Sequence, residues 1–260
     1  MMGLITLISD WGTRDYYVSG VKGMIYKFNP DAQIVDITHQ IEPFNSSEAA
    51  YVMKNACKSF PDNTVHIIGI NTEESLSHMH IVAYYNKQYF IGTDDGIFSL
   101  IFDSKPEKIV ELDITMESSN HTFSSRDRFA KAAALLSQGT NMEELGPIMN
   151  DLVSKMHFNP VINEDLLKGM IIYIDNYENL ITNINIDDFK KFTSGRQFVI
   201  SFRNQKYKVN KIHDSYGDVN PGDIVALFTS NDALEIAINN GKAASLLGIS
   251  VSDPISISYS

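Results

Sequence analysis

Ile5-Thr6-Leu7-Ile8-Ser9-Asp10-Trp11-Gly12-Thr13-Arg14-Asp15 contains a short apolar run that stops abruptly at a serine and an aspartate. A glycine turn follows, and a helical pattern begins near Tyr17. In an α/β protein the carboxyl end of a strand is where ligands sit, in the crevice between sheet and helices. An acidic residue there can accept two hydrogen bonds from neighbouring hydroxyls, such as a ribose diol. The same spacing also fits a buried turn in which Asp10 caps the next helix. Strand–Asp–Gly–helix turns name no reaction by themselves.

Outward from this turn, the first half of the chain alternates strand and helix signals. Residues 4–8 read as a buried strand. Val18, Val21, Met24, Ile25 and Phe28 then recur at helical spacing until Asn29-Pro30. Residues 34–37 form a second strand, and Asn45 with Glu48 predicts a capping box for a helix stopped by Pro61. A third strand over 65–70 ends in the polar run Asn71-Thr72-Glu73-Glu74-Ser75. Residues 81–85 and 88–91 flank Asn86-Lys87 as a hairpin. A helix is expected over 125–137, closed by Gly139.

After about residue 150 the character changes. Phe158-Asn159-Pro160 reads as a linker, and short β-like runs at 169–174, 198–202, 207–209, 224–228 and 234–238 suggest a small antiparallel barrel or sandwich. The predicted fold class is α/β: an N-terminal α/β sandwich-type domain over 1–155 and a smaller antiparallel β-barrel-like domain over 165–260.

Composition narrows the function classes. A 260-residue chain that is 43% hydrophobic and 20% charged is an ordinary globular protein. Its net charge of -11 argues against a general binder of nucleic acid or anionic membranes. Cys57 is the single cysteine, so no internal disulfide is expected, and no Cys/His cluster has zinc-finger spacing. Met1-Met2-Gly3 lacks the pattern of a signal peptide, and no run approaches the ~18 apolar residues of a membrane span. A cytoplasmic protein is expected.

An ordered series of short motifs carries more. It comprises Ser9-Asp10-Trp11-Gly12-Thr13-Arg14-Asp15, Val21-Lys22-Gly23, Asn29-Pro30-Asp31-Ala32, Ile34-Val35-Asp36-Ile37-Thr38-His39 and Asp95-Gly96, then Thr122-Phe123 with Arg126-Asp127. It continues through Asn179-Leu180-Ile181-Thr182-Asn183-Ile184, Ser215-Tyr216 and Leu234-Glu235-Ile236-Ala237. In this order and spacing the chain resembles the S-adenosylmethionine (SAM) hydroxide adenosyltransferases, or SAM hydrolases, and their fluorinase and chlorinase relatives.

The resemblance implies displacement of methionine from the ribose 5′ carbon by water or halide, with no metal or separate cofactor. It also implies a homotrimer, with SAM held between the N-terminal domain of one subunit and the C-terminal domain of its neighbour. By the same resemblance Asp10 would hold the ribose hydroxyls with Phe44 and Phe123 nearby. Asp175 would face the methionine ammonium, Asn179 the adenine edge, Tyr216 the adenine ring and Ser230 the methionine carboxylate. Each of these side chains taken singly also fits a packing or turn role.

The catalytic positions depart from the family. The loop aspartate is replaced by Asn71, the loop arginine falls near His78 or Met79, and the histidine motif reads Thr122-Phe123-Ser124-Ser125-Arg126-Asp127. Asn71 cannot act as a carboxylate, nor Ser124 accept a proton as imidazole does. Glu73, Glu74 and His121 are the nearby substitutes, with Glu74 taken to orient water beside a sulfonium; both glutamates equally fit solvated loop acids, and His121 reads as a surface residue. His39 and His66 read as structural. Ser124-Ser125 also suits halide binding at a helix N-terminus, although the facing Glu73 and Glu74 would repel an anion. The expected reaction is cleavage of SAM by water, with a silent SAM or adenosine binder and a SAM-dependent halogenase as alternatives.

Overall fold

The computed structural model describes residues 3–118, 122–156, 158–203 and 206–259. It contains two compact units, Met1–Met156 and His157–Ser260.

The first unit is built on a seven-stranded sheet. Its elements are β1 (Leu4–Ser9), α1 (Tyr17–Phe28), β2 (Gln33–Thr38), α2 (Ser46–Ala56), β3 (Val65–Gly69), β4 (His80–Tyr85), β5 (Gln88–Thr93), α3 (Ile97–Ile101), β6 (Lys108–Glu111), α4 (Ala130–Ser137) and β7 (Ile148–Met149). The strand order is β2-β1-β3-β5-β4-β6-β7. The first four strands in that order run parallel, and β4, β6 and β7 add antiparallel pairs.

Period-two alternation sorts the core. Ile5, Leu7, Val65 and Ile67 pack with Val21, Ile25 and the alanines of α4 on one face. Ile8 and Ile68 pack with Ala49, Met53 and Phe98 on the other. Both faces are covered, which is why β1 and β3 read as nearly continuous apolar runs. Each large side chain buried this way contributes about 1.5–3 kcal/mol.

This topology positions a site. Because β1, β3 and β5 are parallel neighbours, their carboxyl ends emerge at one edge of the sheet and carry Asp10, Asn71 and Asp95. The expected hairpin is present, with Asn86 and Lys87 both at positive φ as a two-residue turn requires. The expected helix over 125–137 is split. Ser125–Phe129 is a π-turn, in which the Ala130 amide donates to the Ser125 carbonyl, and α4 begins only afterwards. The wider turn lets Ser125, Asp127 and Phe129 all be buried while Arg126 closes a two-point bridge onto Asp127.

The second unit is antiparallel throughout. It comprises β8 (Val161–Ile162), β9 (Leu166–Ile174), β10 (Leu180–Asn185), α5 (Ile186–Thr193), β11 (Phe198–Phe202), β12 (Tyr207–Val209), β13 (Ile224–Phe228), β14 (Ala233–Ile238), α6 (Ala243–Leu247) and β15 (Pro254–Tyr259). The path is β12-β11-β15-β9-β10-β14-β13, with β8 paired to β9, and its end strands β12 and β13 approach one another. The sheet therefore curls toward a barrel around Leu167, Ile200, Ile236 and Ile257.

Candidate functional site

A cavity of about 1030 Å³ opens at the carboxyl ends of the parallel strands. Asp10, Trp11, Phe44, Gly69, Asn71, Glu73, Glu74, Asp95 and Ser124 are among its lining residues. Gly69 is required by contact: a Cβ there would lie 2.3 Å from the Trp11 ring. That ring packs edge-on against Phe123, which also meets Tyr17 edge-on. Behind them, the buried Ser9 hydroxyl bonds to His39 Nδ1 at 2.7 Å and fixes the end of β1.

Asp10 does not cap α1, whose N-cap is Tyr16 with no side-chain bond. Instead Asp10 Oδ2 accepts from the Phe44 amide at 2.9 Å. Phe44 is held at φ 67 and is 77% exposed as a residue at the cavity wall. Asn71 is a second left-handed residue in the same wall, at φ 49. Asparagine adopts this conformation readily, whereas a bulky residue such as Phe44 persists in it only where its surroundings over-determine it.

The surroundings of Asn71 are explicit. Its Nδ2 donates to Ser46 Oγ at 2.9 Å, Asp95 Oδ2 at 3.2 Å and the Phe44 carbonyl at 3.4 Å. The carboxylate and the carbonyl can only accept, so the amide nitrogen must face them and Oδ1 is turned to the other side. Burial alone would raise the Asp95 carboxyl, but bonds from Ser46 and Asn71 and the nearby Lys155 ammonium hold it below its ordinary value. Its neighbour Asp94 accepts from the Val153 amide, and burial pushes that carboxyl up.

Glu74 lies on the loop after β3, where Arg128 Nη1 donates to its Oε1 at 2.7 Å. The same guanidinium donates to His80 Nδ1 at 3.1 Å, while His80 Nε2 bonds the Thr72 carbonyl at 3.0 Å. Ser124 reaches the cavity, whereas Ser125 is fully buried with no partner for its hydroxyl among the described residues.

In the second unit, Asp175 and Asn179 form one turn. Asp175 Oδ1 accepts from the Asn179 and Tyr177 amides, and Asn179 Nδ2 donates to Asp175 Oδ2 at 3.1 Å. The Tyr216 hydroxyl donates to Glu235 Oε1 at 2.8 Å. Burial and this bond raise the Tyr216 hydroxyl, and burial raises Glu235. Ser230 is in the exposed turn between β13 and β14.

Two family models match the chain in order: the SAM hydroxide adenosyltransferase N-terminal domain over residues 5–146 and its C-terminal domain over 169–256. The chain belongs to the SAM hydroxide adenosyltransferase family. It is 30% identical to the (R)-S-adenosyl-L-methionine hydrolase of Methanocaldococcus jannaschii, covering 100% of this chain and 97% of that protein. It is 23% identical to a fluorinase of Actinoplanes sp. over 75% of this chain and 76% of that one. A crystal structure of a Thermotoga maritima protein superposes with a TM-score of 0.90 at 29% identity, covering 98% of this chain and 100% of that one.

Against this family background, the first unit brings Asp10, Phe44, Asn71, Glu74 and Ser124 to one cavity, with Phe123 packed behind Trp11. Ser125 lies below the surface, and His121 falls outside the described residues. Asp175, Asn179, Tyr216 and Ser230 belong to the second unit. Reading the sequence left Asp95, His80, Arg128 and Glu235 without a role. Asp95 had a signal, a carboxylate just past a strand end. Arg128 had none, because its partner Glu74 is 54 residues away.

Proposed function

We propose that this chain cleaves SAM with water at the ribose 5′ carbon, releasing adenosine and methionine. The observation that carries the reading is the convergence of Asp10, Glu73, Glu74 and Asp95 on one cavity at the strand ends. Carboxylates favour a cationic sulfonium substrate and a neutral nucleophile. Membership of the family and its hydrolase relatives support the same reaction.

Asp10 Oδ1 accepts from the ribose hydroxyls, while Oδ2 stays on the Phe44 amide. Water sits between Asn71 Oδ1 and Glu74, in line with the bond to sulfur. The new C5′–O bond forms as the C5′–S bond breaks, and the electron pair of that bond leaves on the methionine sulfur. Positive charge moves from sulfur to the water oxygen, and Glu74 takes the proton and returns it to solvent. The sulfonium is already an activated leaving group, so the step takes no separate cofactor.

The homotrimer implied by the resemblance is part of this proposal, with Asp175, Asn179, Tyr216 and Ser230 of a neighbouring copy receiving adenine and methionine. So is action in the cytoplasm; no helix among the described residues is long and apolar enough to cross a membrane. Light scattering should give three times the chain mass of 29.2 kDa.

The reaction is tested by incubating the purified protein with SAM in ¹⁸O-water, with and without chloride or fluoride. Adenosine carrying ¹⁸O at its 5′ hydroxyl is expected. A 5′-halo nucleoside would assign the halogenase reaction instead, and ligand-dependent stabilisation without any product would assign a silent binder.

A further inference from the structure

Behind the cavity lining, one hydrogen bond from Glu74, lies a cation to which the proposed reaction assigns no role. Arg128 stands on the π-turn with its side chain only 13% exposed. Its Nη1 is shared between Glu74 Oε1 at 2.7 Å and His80 Nδ1 at 3.1 Å. His80 is fully buried, with the Phe129 ring edge-on against it at 4.7 Å between centroids.

The hydrogen bonds assign the proton on that ring. A backbone carbonyl only accepts, so His80 Nε2 carries hydrogen toward Thr72, and Nδ1 offers its lone pair to the guanidinium. Burial holds the imidazole below its ordinary value, as a neutral acceptor requires. His80 therefore anchors one side of Arg128, and Arg128 fixes the direction of Glu74. The extra residue of the π-turn sets this direction: Asp127 turns back to Arg126, while Arg128 faces the loop.

We propose that Arg128, braced by His80, is a positioning residue that holds Glu74 Oε1 and leaves Oε2 aimed at the attacking water. This role rests on the hydrolysis reading. A carboxylate fixed beside the water acts on charge that appears only as the bond to sulfur breaks, so the arrangement favours the transition state over bound SAM.

The test is a double-mutant cycle in kcat with Glu74→Gln, Arg128→Ala and their combination, each also titrated with SAM by calorimetry. Arg128→Ala should lower kcat about 100-fold, leave KM and the SAM dissociation constant within threefold, and recover in part when guanidinium ion is added. The combined variant should be no slower than Glu74→Gln alone, because a residue acting through Glu74 has nothing left to aim. Arg128→Lys, which keeps the charge, should retain more activity than Arg128→Ala and serves if the alanine variant does not fold.

Full additivity of the two losses overturns the role, as does wild-type kcat in both Arg128 variants or a change confined to KM. If the wild-type protein releases no adenosine, the hydrolysis reading itself fails and takes this role with it. Adenosine from wild type with additive losses isolates the failure to Arg128.

Discussion

Replacing Asn71 by Asp gives the loop the carboxylate that the family resemblance implies at this position, and the structure predicts that the change is harmful. The Asn71 side chain lies 3.2 Å from Asp95 Oδ2 and donates to it. An aspartate there puts two acceptors, both charged, where a donor and an acceptor stood. Two unit charges at this distance repel by about 5 kcal/mol at an effective dielectric of 20. Protonating one carboxyl instead costs about 4 kcal/mol at pH 7 and about 1.5 kcal/mol at pH 5, which sets the ceiling. Lys155, also 3.2 Å from Asp95 Oδ2, offsets part of this. The expected loss is about 2–4 kcal/mol at pH 7. The pair binds a proton in the folded state that the unfolded chain has released, so stability falls as pH rises from about 4 to 7. Urea denaturation at pH 5 and pH 7.5 reads the difference. Adding Asp95→Asn should restore stability at pH 7.5, since the amide then donates in the reverse direction. A single Asn71→Asp variant as stable as wild type at pH 7.5, or a double variant no better than the single, would refute this account of how Asn71 is oriented.

The other predictions concern separate parts of the molecule. Asp10→Ala should weaken SAM or adenosine binding about 10- to 100-fold by calorimetry, since it removes a charged acceptor. Gly69→Ala forces the Trp11 ring aside and should cost about 1–3 kcal/mol in denaturation with loss of SAM binding. His66 is bonded to Thr6 at 2.6 Å and to Gln88, and burial lowers it to about 4. Its folded form binds fewer protons than the unfolded chain, so stability present above pH 6.5 should be lost as pH falls toward 4, by up to about 3 kcal/mol, and His66→Gln should flatten that slope in acid melting curves. Glu74→Gln leaves the Arg128 cation without its counter-ion, so chloride inhibition absent from wild type should appear when residual adenosine release is followed in chloride against gluconate.

The elements that were legible in the sequence are those whose pattern is local. Val21 and Ile25 mark the buried side of α1 by their spacing, Asn45 accepts from the Glu48 amide as the cap pattern foresees, and Asn86-Lys87 makes its turn from two residues alone. β15 was missed although Ile255 and Ile257 alternate with serines, because the turn before it carried no strand signal. The π-turn could not be read, since Ser125 to Ser137 has helical periodicity and only tertiary burial decides where an extra residue enters. At the site, Asp10 was visible because it ends an apolar strand. Its bond to Phe44, and those of Glu74 to Arg128 and Asn71 to Asp95, join segments 24 to 54 residues apart that only the parallel strand order brings together.

That order also bears on which nucleophile the cavity accepts. Four carboxylates line it, and Arg128 and Lys155 pair with two of them, which leaves Asp10 and Glu73 in excess among the described residues. A halide about 4 Å from one unpaired carboxylate meets a repulsion of about 4 kcal/mol at an effective dielectric of 20, and more as water is excluded. That corresponds to nearly a thousandfold in occupancy. Water incurs no such cost, and the sulfonium is drawn in by the same field. The Ser125 hydroxyl, without a partner among the described residues, does not reverse the balance, because it is fully buried and does not line the cavity. With an amide at Asn71 the site is still not neutral: Asp95 lies behind it, 3.2 Å from its Nδ2, and the amide directs its carbonyl away from that charge. A site in which a carboxylate orients an amide, with further carboxylates around it, is built for a cation and a neutral attacking molecule.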